Sequence, residues 1–131
     1  MATTTTVPTY TGNSAANVIA SASIAASGTS NANVDYSGVF EAQLNVLNTP
    51  GGSVAGTAGL RVDIFRRFGS SPTTATTAFM SYTIPSVAST AASCDIFLGP
   101  GKYNVKLTNL DATNAVTAQV TGDTITSLTN S

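Results

Sequence analysis

The chain predicts an all-β fold, an antiparallel β-sandwich or jelly roll of about eight strands. Three observations carry that prediction. Short stretches of alternating apolar and polar residues recur along the sequence. Turn formers separate them at intervals of roughly ten to fifteen residues, the rhythm of a sandwich or barrel. No stretch combines a helical apolar stripe with helix caps. The alternation is cleanest near the C-terminal end. Pro100-Gly101 marks a turn. Tyr103, Val105 and Leu107 then alternate with Lys102, Asn104, Lys106 and Thr108. After a polar loop over 109–114, Val116, Ala118 and Val120 alternate with Thr117, Gln119 and Thr121. The pair predicts a hairpin with one dry face and one wet face.

The chain begins with a threonine-rich segment, MATTTTVPTYTGN. β-Branching favours extended backbone there, and Pro8 excludes a central strand. Residues 1–14 are therefore expected to form an extended arm, and residues 15–131 the sandwich domain. The arm is either a frayed end or a strand donated to a neighbouring subunit. Residues 14–26 alternate with Val18, Ala20, Ala22, Ile24 and Ala26 on one face, and a turn follows over 28–31. Val34 and Tyr36 form a short strand. Phe40, Ala42, Leu44 and Val46 form the next inward row, opposite Glu41, Gln43 and Asn45. Pro50-Gly51-Gly52 ends it. Leu60, Val62 and Ile64 point inward, with Arg61, Asp63, Phe65 and Arg67 outward. Met80, Tyr82 and Ile84 make another row. Cys94, Ile96 and Leu98 make the last one before the hairpin, with Asp95 and Phe97 outward. Residues 123–131 read as a short tail in which Ile125 and Leu128 pack.

At 131 residues the chain has the length of one domain, able to bury about two-thirds of its surface without disulfides or metal. Much of the apolar content is Ala and Val, which predicts a thin core. Only 8% of residues are charged, against about 25% in ordinary domains, so hydroxyl and amide side chains must cover most of the surface. Such a surface suits a permanent assembly or a secreted β protein. The net charge of −1 argues against a nucleic-acid partner that relies on neutralising phosphates. No stretch reads as a membrane helix or a signal peptide, so neither a membrane partner nor export is expected.

Histidine is absent, which removes the commonest general base and the Ser-His-Asp and Cys-His arrangements. No phosphate-binding glycine loop or nucleophile elbow occurs. Cys94 is the one cysteine, sits in an apolar row and reads as a core residue. The carboxylates are scattered singly, unlike a glycosidase pair. Asn109, Asp111, Thr113 and Asn114 offer oxygens to a cation, but equally the turn formers of a loop. Arg66-Arg67 suits a phosphate or a partner's carboxylates. The chain therefore predicts no enzyme, no cofactor and no metal site. Phe65 and Phe97 lie either between the layers or on a contact patch. The residues expected to touch a partner are Thr3, Thr4, Thr5, Thr6 and Val7 of the arm, with Phe65, Arg67 and Phe97 on the sandwich.

The threonine-rich start, the charge-poor β body and the segment GKYNVKLTNLD together resemble small virion proteins of tailed bacteriophages. Head decoration, or cement, proteins are the nearest sense of that resemblance. It implies a structural virion protein, made in the host cytoplasm, that binds the major capsid protein or other virion subunits. It also implies a homo-oligomer, with a trimer favoured. A tail-tube or fibre subunit is the alternative within the virion. A secreted adhesion or glycan-binding module is the alternative outside it.

Overall fold

Alternation becomes structure through pairing, and the pairing here is entirely antiparallel. The computed structural model describes residues 6–11, 17–52, 58–71 and 73–130, with side chains from 17 to 125. In chain order the strands are β1 (Thr6–Thr11), β2 (Asn17–Ile24), β3 (Thr29–Asp35), β4 (Glu41–Pro50) and β5 (Gly59–Phe68). They continue with the two-residue β6 (Thr73–Thr74), β7 (Met80–Pro85), β8 (Ala92–Leu98), β9 (Lys102–Asn109) and β10 (Val116–Asn130). One sheet runs β1-β10-β4-β8, with β2 also on β10; the other runs β3-β9-β5-β6, with β7 also on β5.

This connectivity is a jelly roll. Strands β2, β3, β4 and β5 pair in turn with β10, β9, β8 and β7. The chain thus behaves as one long antiparallel ribbon. It is rolled so that β10 meets β4 in the first sheet and β9 meets β5 in the second. The inward rows meet between the sheets. Leu44 and Val46 of β4, Ile96 and Leu98 of β8, Val116 and Val120 of β10 face Leu60, Val62 and Ile64 of β5 and Tyr103, Val105 and Leu107 of β9. All of these are nearly or completely inaccessible. Among the described residues the core is built mainly from Leu, Ile and Val, with the buried tyrosines Tyr36 and Tyr103 and only two buried alanines, Ala42 and Ala118. It is richer than the alanine content led us to expect.

Four sequence expectations are corrected. First, β9 and β10 do not form a hairpin, because they lie in different sheets. The loop between them is a crossover, and it runs beside the β2–β3 crossover at the same end of the sandwich. Asn109 is buried and stitches the two together. Its Nδ2 donates to the carbonyls of Ile24 (3.2 Å), Ala25 (3.2 Å) and Asn114 (2.9 Å), and its Oδ1 accepts from the N–H of Asp111 (3.0 Å). The N–H of Ser27 donates to the Asp111 carbonyl (2.8 Å), and that of Asn109 to the Gly28 carbonyl (2.9 Å).

Second, 123–131 is not a tail, because β10 runs on to Asn130. The strand passes straight through Gly122. A Cβ on it would lie 3.1 Å from Leu44 Cδ2 and 3.2 Å from both Tyr36 Oη and Val18 Cγ2. The glycine marks a close approach inside the strand. Third, β2 does not keep one alternation. Ala22 faces Ala118 but Ile19 faces Val120, so β2 carries an extra residue in a β-bulge. Ile19 and Ile24, of opposite parity, are therefore both buried. Fourth, Phe40 and Tyr82 lie outside the core. Phe40 precedes β4 and is 57% exposed, and Tyr82 sits on the edge strand β7. The turn predicted over 28–31 lies two residues earlier, at Ala26 and Ser27, where Ser27 takes a positive φ of 56°, and Thr29 already opens β3.

The arm pairs within its own chain. Thr6 to Thr11 lie antiparallel to Asn130 to Thr124, with a bulge between Thr9 and Tyr10. Pairing of β10 with β4 ends at Ile125 and Glu41. Beyond that point β1 and β10 continue as a two-stranded ribbon of four residue pairs, Thr6 to Thr9 against Asn130 to Ser127.

Candidate functional site

The predicted contact residues do not converge. Thr3, Thr4 and Thr5 lie outside the described residues. Thr6 and Val7 are in β1, opposite Asn130 and Thr129 on the two-stranded ribbon. Phe65 and Arg67 are half-buried on the outer face of the second sheet, where they pair with Asn104 and Lys102 of β9. Phe97 stands 57% exposed on the outer face of the first sheet. The single sandwich face expected to carry all three is therefore two opposite faces.

Charge divides the same way. All five cations of the chain, Arg61, Arg66, Arg67, Lys102 and Lys106, are on β5 and β9 of the second sheet. Arg61 Nε holds Asp63 Oδ2 at 3.0 Å, and Ser81 Oγ donates to Asp63 Oδ1 at 2.7 Å. Asn104 Nδ2 donates to Asn33 Oδ1 (2.8 Å) and Asn31 Oδ1 (3.3 Å), extending a polar ladder across that face. Arg66 and Arg67 point to opposite sides of β5, so they do not form one anion site. The Arg66 guanidinium lies 4.4 Å from the Phe79 ring centroid and closes one end of the core beside Tyr103. At the edge of this sheet the hydroxyl and N–H of Ser37 hold the Asp35 carboxyl below its ordinary pKa.

The loop that offered oxygens to a cation uses them internally. Asp111 Oδ1 accepts from the N–H of Thr113 (2.8 Å), its hydroxyl (3.1 Å) and the N–H of Asn114 (2.8 Å). This is a side-chain-capped turn. No cluster of three or more acidic, His or Cys ligands occurs among the described residues.

The first sheet carries a concavity of about 420 Å³ on its outer face. Three neighbouring strands build it in two cross-strand rows. Thr121, Asn45 and Asp95 form one row across β10, β4 and β8; Asp123, Gln43 and Phe97 form the other. Asn45 Nδ2 donates to Asp95 Oδ1 at 2.8 Å, fixing the amide and the carboxylate side by side. The groove thus joins an exposed ring, two amides, a hydroxyl and two carboxylates, with no cation on its sheet. Gln43, Asn45, Asp95, Phe97 and Thr121 were legible as outward-facing in the sequence, whereas Asp123 falls in the predicted tail. Their convergence was not, because Asn45 and Asp95 are 50 positions apart. Only the roll brings β4 between β8 and β10.

Cys94 lies under this face and is half-buried. Burial, and secondarily the Asp95 carboxylate, raises its thiol pKa. Less thiolate is present at neutral pH than for a free thiol, and the sulfur is half-buried, so native Cys94 should react with iodoacetamide more slowly than in urea-unfolded chain. Equal rates would refute its placement.

No protein-family model matches the chain, and no curated protein matches it. Solved structures do. The enzymatically active domain of tailspike protein 4 of bacteriophage CBA120 is similar over 94% of this chain, with a TM-score of 0.56 and 15% identity. The match covers 19% of that tailspike chain, so this protein spans about a fifth of it. A family 16 carbohydrate-binding module matches 85% of this chain and 75% of its own, at TM-score 0.45 and 9% identity. A chain of infectious bursal disease virus, Gx strain, matches 95% of this chain and 32% of its own, at 0.49 and 13%. At 15% identity the likeness to the tailspike domain is one of fold.

Proposed function

We propose that this protein is a non-enzymatic structural subunit of a phage particle, a decoration protein that attaches to the outside of the head. The observation that carries the reading is the β1–β10 ribbon. Residues 126–130 pair with β1 alone, and no further strand among the described residues pairs with either edge of the ribbon. An isolated pair of strands is marginal in water and gains most by adding a third strand. The shell protein supplies that strand by β-augmentation. A trimer multiplies the attachment through avidity without strengthening any one contact. The charge-poor surface suits a lasting contact better than a salt-sensitive one.

Removing residues 1–11 tests it. Each ribbon hydrogen bond contributes about 0.5–1.5 kcal/mol net, against about 1–2 kcal/mol to order each residue. The truncated protein is expected to melt within about 5 °C of the full chain. Its co-sedimentation with purified heads should fall at least about tenfold. Undiminished binding would sink the ribbon as the attachment device.

A further inference from the structure

The geometry points to the groove of the first sheet as a binding site for a neutral pyranose sugar unit, separate from the attachment ribbon. Three features select that ligand. The exposed Phe97 ring at one corner offers a face on which the C–H side of a sugar ring stacks. The Asn45–Asp95 pair sets an amide beside a carboxylate, Gln43 adds a second amide next to Phe97, and Thr121 adds a hydroxyl at the opposite corner. Vicinal hydroxyls, which donate and accept at once, need that mixture of fixed acceptors and amide donors. The charge pattern narrows the class. Asp95 and Asp123 line the groove and every Lys and Arg belongs to the other sheet, so uronates, sialylated or phosphorylated sugars are disfavoured. The size agrees. Strands lie about 4.8 Å apart and alternate residues about 6.8 Å apart, so the six side chains frame roughly 10 by 7 Å, room for one or two rings. A lysine-rich peptide would satisfy the carboxylates but leave the amides and the hydroxyl without a role.

Amide chemical shifts of the isotope-labelled full chain test the site. The probes are cellohexaose, maltohexaose, mannohexaose and chitohexaose, with oligogalacturonate and an oligolysine peptide as charged competitors. At least one neutral hexaose should give saturable shifts at millimolar concentration, centred on Gln43, Asn45, Asp95, Phe97, Thr121 and Asp123. Phe97→Ala and Asp95→Ala, both at exposed positions, should each weaken binding about tenfold or more. Phe65→Ala, on the opposite face, should leave it unchanged. The assignment is overturned if no neutral hexaose saturates, if the shifts map elsewhere, if Phe97→Ala binds as tightly as the parent, or if a charged probe binds better. Head co-sedimentation of Phe97→Ala keeps the two readings apart, since attachment through the ribbon is unaffected by loss of the groove.

Discussion

Asn109→Ala is expected to destabilise the fold by about 3–5 kcal/mol, among the largest effects of any polar substitution in this chain. The side chain is 1% exposed and makes four hydrogen bonds. Alanine leaves three carbonyls and one N–H without that partner. Each such orphan costs about 1–3 kcal/mol when buried, and water entering the cavity recovers part of the sum. The loss falls where a jelly roll is most exposed to error. The β2–β3 and β9–β10 crossovers must run side by side, and no ladder joins them; Asn109 and the main chain of Ser27, Gly28 and Asp111 do. Urea unfolding followed by circular dichroism measures the change. A loss below about 1 kcal/mol would show that hydrophobic burial alone sets the roll.

The second large effect is expected at the centre of the first sheet. Leu44 is 1% exposed and faces the gap left by Gly122. Leu44→Ala should cost about 2.5–4 kcal/mol through lost burial and the residual cavity. The glycine makes the prediction sharper. A methyl at 122 meets Leu44 Cδ2 at 3.1 Å, with Tyr36 Oη and Val18 Cγ2 just beyond it. Gly122→Ala alone should therefore destabilise by about 1 kcal/mol. In the Leu44→Ala background the new methyl enters the vacated space, and the same change should be neutral or stabilising. A double-mutant cycle reads that reversal of sign directly, and additive costs would contradict the packing described.

These two positions also mark how much of the fold could be read from residues alone. The rows Leu60-Val62-Ile64, Tyr103-Val105-Leu107 and Ile96-Leu98 were plain because an apolar period of two has one physical meaning on a half-buried strand. Pairing was less plain. Lys102–Leu107 and Val116–Val120 look like hairpin arms, since local pairing is the common outcome across a short loop. What sends them to different sheets is the set of bonds from Asn109 and Asp111, which in the sequence look like ordinary turn residues. The residues after Thr121 read as a tail, yet β10 runs on through Gly122, which admits Leu44 inside the strand. The bulge in β2 hid for want of strong signal, because alanine and serine on both faces leave the register open.

The candidate sites follow the same division. Phe97 drew attention as an outward aromatic, and its exposure agrees. Its grouping with Phe65 and Arg67 failed because outward residues of two sheets face away from each other. Asp95 and Asp123 looked like isolated solvated charges; the roll places β8 and β10 on either side of β4 and brings both to one groove. Within the arm, Thr6–Thr11 was legible as extended backbone. That its residues from Thr6 onward pair with the chain's own C-terminal strand depends on where that strand ends in space, which no local pattern encodes.

The most direct test of the central proposal is the protein's position in a reconstruction of the particle that carries it. The account predicts the jelly roll on the outer surface of the head, with residues 6–11 and 124–130 against the shell and a shell-protein strand continuing the ribbon. Stacked rings of this chain along the tail, or heads from which it is absent, would contradict it.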